Sequence, residues 1–122
     1  MKIKLFENFF NDDKENITLF IKEKLEEINN SATFNQYNNH ITNDIQLYVE
    51  FYVGSEFNKF IENLKEIQEF LKKYNLSSDV DKYEGFYLTL SINIKLDNFY
   101  EITNDNDYLK WHRNKSAENF NI

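Results

Sequence analysis

The chain has two histidines, His40 and His112, and no cysteine, so few side chains are equipped for catalysis at neutral pH. Nucleophilic catalysis needs a general base beside a nucleophile, and neither histidine has a neighbour in sequence that defines such a pair. His40 lies in the asparagine-rich stretch 38–43 and reads as a solvated loop residue. His112 follows Trp111 and reads as packed against an aromatic ring. Asp105-Asn106-Asp107 with His112 offers oxygen and nitrogen ligands, but a calcium loop also needs a glycine at its sixth position and a glutamate at its twelfth. Lys110 and Ser116 stand there instead. Gly54 and Gly85 are isolated, which excludes a glycine-rich phosphate cradle. Asp79 and Asp81 are paired carboxylates without a cleft that the sequence can define. The expectation is a non-enzyme that uses no metal and no cofactor.

The elements that carry these residues are legible in parts. Phe86, Leu88, Leu90, Ile92, Ile94 and Leu96 alternate with mostly polar residues and predict one strand over 86–96. Ile45, Leu47, Val49, Phe51 and Val53 predict a second over 45–53, with Gln46, Tyr48, Glu50 and Tyr52 on its other face. Phe57, Phe60, Ile61, Leu64, Ile67 and Leu71 recur at helical spacing after a potential Ser55 cap and predict a helix ending near Asn75. Glu69 and Lys73 would pair on its wet side. Ile17, Phe20, Ile21, Leu25 and Ile28 predict an earlier helix capped by Asn11 or Asp12.

Weaker signals complete the order. Lys2–Phe6 is read as a short strand, with a backward extension of the first helix as the alternative. Thr33–Tyr37 reads as a strand, and Asp97-Asn98 as a turn leading to a strand over 99–103. Tyr108–Ser116 reads as a helix capped by Asp105 or Asp107. The expected fold is α+β, an antiparallel sheet with two helices on one face. The order suggests a ferredoxin-like βαββαβ core over 1–96 with a C-terminal β-α extension over 97–122, all in one domain.

Composition narrows the class of function. The 122 residues carry 14 basic and 21 acidic side chains, a net charge of −7. Asparagine occurs 19 times, and lysine outnumbers arginine 13 to 1, the signature of AT-rich coding as in many bacteria and their phages. Twelve phenylalanines and eight tyrosines supply core material that a disordered chain lacks. The absence of cysteine, of a secretory leader and of any apolar run near ~20 residues suggests a bacterial cytoplasmic setting without membrane contact.

Charge and tyrosines point to contact surfaces. Residues 77–107 hold two lysines against Asp79, Asp81, Glu84, Asp97, Glu101, Asp105 and Asp107, a net −5 placed on loops around the most regular strand. Tyr48, Tyr52 and Tyr87 face outward beside Glu50, on a sheet face open to water or covered by Trp111 or Phe120. Glu84-Gly85-Phe86-Tyr87-Leu88 is similar to the start of the RNA-recognition motif. Glu84, however, stands where a basic residue is needed, Tyr87 where a small one is, and the assigned register turns Phe86 inward. That reading is rejected.

These features predict a small acidic inhibitor that occludes a basic, nucleic-acid-handling protein such as a nuclease, of the phage anti-defence (anti-CRISPR) kind. An immunity protein against a bacterial toxin is the alternative. A nucleic-acid-binding module using Lys110, Arg113, Lys115 and the tyrosines is a third reading, opposed by the net charge. Self-association is compatible with each.

Overall fold

The computed structural model describes residues 2–54 and 57–120, with side chains placed for 13–54 and 58–117 except Lys59. The elements run α1 (Lys2–Ile28), β1 (Thr33–Asn38), β2 (Ile45–Tyr52), α2 (Phe57–Lys73), β3 (Ser77–Glu84), β4 (Tyr87–Ile94), α3 (Leu96–Thr103) and α4 (Asn106–Phe120). The class is α+β, as the sequence predicts. The four strands form one antiparallel sheet in the order β1-β2-β4-β3.

The centre of the sheet is where the alternation is strongest. Ile45, Leu47, Val49 and Phe51 of β2 and Leu88, Leu90, Ile92 and Ile94 of β4 are buried on one face. Their register pairs Ile45 with Ile94 and Phe51 with Leu88, so each apolar row continues across strands. Above this face α1 contributes Ile17, Phe20, Ile21 and Leu25, and α2 contributes Ile67 and Leu71. Phe20 is the hub of the helical layer, meeting the rings of Tyr74, Tyr108 and Trp111 at 6.0, 5.4 and 5.6 Å. Truncating such a fully buried ring costs about 3–5 kcal/mol.

Four expectations are corrected. Residues 2–6 are helical rather than a strand, and α1 runs unbroken through Asn11 and Asp12. In the sequence Phe6, Phe10, Ile17 and Ile21 recur at spacings of four and seven, a period that suits a helix and not a strand. Residues 99–103 are likewise helical: Asn98, Phe99 and Ile102 are buried on α3, where a strand would have alternated. The ferredoxin-like order and the β-α extension therefore give way to two successive αββ units followed by two helices, with hairpins joined through β2 and β4. Finally, Ser77–Glu84 is a strand where the sequence suggested a loop. The proposed Ser55 cap falls outside the described residues.

Two polar staples hold α3 and α4 to the end of α2. Asn98, 6% exposed, donates to the carbonyls of Tyr74 and Asn75, both at 3.1 Å, and its Oδ1 accepts the Lys95 amide at 2.9 Å. Asp105 caps α4, accepting from the Tyr108 amide at 3.1 Å and from the Tyr74 hydroxyl at 2.8 Å. Lys73 pairs with Asp107 rather than with Glu69. The Lys73 ammonium holds the Asp107 carboxyl below its ordinary pKa, and the hydrogen bond to that carboxylate raises the pKa of Lys73.

Candidate functional site

With every described helix core turned to one face of the sheet, the other face is left to solvent. Antiparallel register fixes what it displays, since paired residues share a face. From β1 come Thr33, Asn35 and Tyr37; from β2 Gln46, Tyr48, Glu50 and Tyr52; from β4 Tyr87, Thr89, Ser91 and Asn93. β3 adds Asp79 opposite Ser91, Lys82 opposite Thr89 and Glu84 opposite Tyr87. A bulge between Val80 and Lys82 inserts Asp81, which joins Asn35, Tyr37, Tyr48 and Thr89 around a shallow depression of about 380 Å³. Two successive side chains thus face the same way, as a bulge permits.

The aromatic rings form two groups, one of three and one of two. Tyr52 meets Tyr87 edge to face at 5.5 Å and Phe86 at 6.4 Å. Tyr37 meets Tyr48 at 5.5 Å, also edge to face. Tyr37, Tyr52 and Tyr87 are 62%, 50% and 49% exposed, far more than packing requires. Around them stand the carboxylates of Glu50, Asp79, Asp81 and Glu84 against one cation, Lys82, itself paired with Glu84 at 3.1 Å. The surface can offer apolar area, phenolic hydroxyls and negative charge. It has no acid–base pair poised on a nucleophile.

The residues singled out in the sequence divide into two groups. Tyr48, Glu50, Tyr52, Asp79, Asp81, Glu84 and Tyr87 lie together on this face. Asp97, Glu101, Asp105 and Asp107 belong to the helical layer: Glu101 accepts from Asn75 at 3.2 Å, Asp105 caps α4 and Asp107 holds Lys73. The acidic segment is therefore not one patch, and its densest part is a strand. Tyr37 and Phe86 are contributors that the sequence reading missed. Alternation along 33–38 carries a signal for Tyr37; alternation turns Phe86 inward, yet it sits in the β3–β4 turn and is 53% exposed. Gly85 there takes φ +62° at the first central position of a two-residue hairpin, where a II′ turn needs positive φ.

Trp111 does not cover the open face. Its indole donates to Glu23 at 2.6 Å and stacks on Tyr108, on the helical side of the molecule. Phe120 lies outside the residues whose side chains are described. The basic residues of α4 share the helical side, with Lys115 paired to Glu23 at 2.9 Å. They do not converge with the sheet tyrosines.

The remaining chemistry is structural. His40 is exposed, and His112 tilts against Tyr108 with Asn16 at 3.4 Å. A larger concavity of about 600 Å³ between the end of α1, the end of β2 and α2 is lined by Ser31, Tyr52, Phe60 and Asn63 among others. Its amides satisfy one another: Asn63 donates to the Ile28 carbonyl and Asn29 to Asn63, at 3.0 and 2.9 Å. Among the described residues no cluster of three or more His, Asp or Glu side chains is placed to hold a metal ion, and no helix is long and apolar enough to cross a membrane. No protein-family model matches the chain, and no curated protein matches it significantly.

Proposed function

We propose that this chain is a small binding protein whose open sheet face occludes a basic, nucleic-acid-handling surface on another protein, an inhibitor of the phage anti-defence kind. The observation that carries this reading is the pairing of half-exposed tyrosines with four carboxylates and one lysine on a single uncovered face. Tyrosine is enriched at contact hot spots because it offers a large rigid ring with a polar tip. The carboxylates complement a surface that otherwise holds phosphate. Separation of the α4 cations from the tyrosines argues against direct nucleic-acid binding, which needs phosphate contacts beside stacking rings. The same face would serve an immunity protein, and the nature of the partner separates the two.

The test is competition. Purified protein is titrated into RNA-guided nuclease complexes bound to labelled nucleic acid, beside a cognate-toxin arm, and a triple variant Asp79→Lys, Asp81→Lys, Glu84→Lys is run in parallel. Displacement by the native chain and not by the variant supports the reading. Equal displacement by both, or direct submicromolar binding of the native chain to the free nucleic acid, overturns it.

A further inference from the structure

The sheet presents two edges to solvent, and they are built differently. β3 carries the bulge at Asp81 together with Asp79, Lys82 and Glu84, features that discourage pairing with another strand. β1 has neither device. Its register with β2 is unbroken from Thr33↔Glu50 to Asn38↔Ile45, and its sequence, Thr-Phe-Asn-Gln-Tyr-Asn, holds no charge, glycine or proline. The neutrality extends well beyond the strand. Between Glu27 and Asp44 no Asp, Glu, Lys or Arg occurs, in a chain that is 29% charged.

We infer that β1 is a self-pairing edge, joining two copies of this chain antiparallel into an eight-stranded sheet. The charge distribution selects a second copy as the occupant. Two chains of −7 repel across most of their surfaces, whereas the residues of β1 itself bring no charge to the joint and the cation beside them, Lys22, is held by Gln36. A basic partner gains nothing from a neutral edge and is drawn to the acid-lined face instead.

The backbone groups that form the joint follow from the hairpin. The Asn39 amide donates to the Asp44 carbonyl at 2.9 Å. Alternation along the antiparallel ladder then turns the amides and carbonyls of Thr33, Asn35 and Tyr37 toward β2 and those of Phe34, Gln36 and Asn38 outward. The side chains beside these groups bond to one another: Gln36 Nε2 donates to Asn38 Oδ1 at 3.0 Å, and Lys22 Nζ donates to Gln36 Oε1 at 3.0 Å. Antiparallel pairing of identical strands places the two-fold axis perpendicular to the sheet. Both tyrosine faces then lie on the same side, in one doubled surface. This inference stands apart from the inhibitor reading, because the joint uses an edge and not that face.

Sedimentation velocity from micromolar to submillimolar concentration tests it. The native chain should move from its 14.8 kDa mass to twice that mass as concentration rises. Gln36→Pro removes an outward amide without touching the β1–β2 ladder, and Asn35→Lys sets like charges close together across the joint. Both variants should remain folded by circular dichroism and stay monomeric. Amide exchange in the native dimer should show protection at Phe34, Gln36 and Asn38 that fades on dilution. A native chain that is monomeric throughout overturns the inference. So does a dimer that survives both substitutions, or an edge that pairs with an added foreign strand and never with itself.

Discussion

The Tyr52 and Tyr87 rings meet edge to face at 5.5 Å across the two central strands, on the side of the sheet that no described helix covers. One residue along the chain from Tyr87, Leu88 is 3% exposed and points into the core. A single step in sequence therefore crosses from contact surface to core. Tyr87→Ala should cost about 1 kcal/mol, the worth of one aromatic pair on a wet surface, whereas Leu88→Ala should cost about 2–5 kcal/mol. Chemical denaturation of both variants checks the assignment of faces, and equal losses would contradict it.

Phe86 tests the turn. Alternation alone would place it in the core, and its truncation would then be severe. At 53% exposure, packed edge to face on Tyr52, Phe86→Ala should cost under about 1.5 kcal/mol. Gly85→Ala next to it meets no atom within 4 Å, so its cost comes from the backbone. A β-carbon at φ +62° should destabilise by about 1–2 kcal/mol. Thermal melts of the two variants distinguish a strained turn from a buried ring.

What the sequence revealed and what it hid follow from burial. β2 and β4 are buried on one face and wet on the other, so their residues alternate and the strands are legible. β3 is an edge strand exposed along all eight residues; Asp79, Asp81 and Lys82 leave no apolar row, and the bulge breaks the period. Its strand character comes from pairing with β4, which no local pattern records. α3 is too short at eight residues to show a helical period, and its buried Asn98 looked like a turn residue. Phe86 and Leu96 misled because the alternation runs past both ends of β4, and Leu96 opens α3 at 37% exposure. The acids of β3 were recognised as contact candidates by type, while their union with Tyr48 and Tyr52 required the sheet order.

Asn98 shows how a polar residue can be part of the core. Its amide holds the Tyr74 and Asn75 carbonyls, two bonds that join α3 to the end of α2, and its oxygen takes the Lys95 amide at the N-terminus of α3. Asn98→Ala leaves those groups without partners and should cost about 1–3 kcal/mol. Asn98→Leu should be no better, since apolar volume does not restore the bonds. Urea unfolding of both variants against the native chain is the measurement.

Two buried phenols make stability depend on pH in the alkaline range. Burial, aided by the Asp105 carboxylate, pushes Tyr74 up to about 12, and burial with Asp13 nearby pushes Tyr108 up to about 12. An unfolded tyrosine titrates near ~10. The folded state therefore holds these protons longer than the unfolded state does. Their contribution is complete below about pH 10 and is lost as pH rises through about 12. Denaturation from pH 8 to 12 should show stability falling over that window. The Tyr108 hydroxyl is buried without a hydrogen-bond partner among the described residues, so Tyr108→Phe should be neutral or stabilising at pH 7 and should flatten the alkaline decline.

The split of the acidic residues between two layers gives the decisive test of the contact surface. Asp79, Asp81 and Glu84 stand on the open face with the tyrosines, whereas Asp97 and Glu101 stand on α3 in the helical layer. Net charge changes equally per substitution in either group, so a purely global attraction would respond to both alike. A docked face would not. Acidic groups at an interface rim chiefly speed encounter, and buried rings slow release. On an identified partner, reversal of Asp79, Asp81 and Glu84 to lysine should lower the association rate about tenfold or more at low salt, with the difference shrinking as salt rises. Reversal of Asp97 and Glu101 should change it far less. Tyr52→Ala should raise the dissociation rate by about thirtyfold, the equivalent of a 2 kcal/mol hot spot. Surface plasmon resonance at two ionic strengths reads all of these constants. Equal effects of the two acid groups, with unchanged dissociation of Tyr52→Ala, would place the contact elsewhere on the molecule.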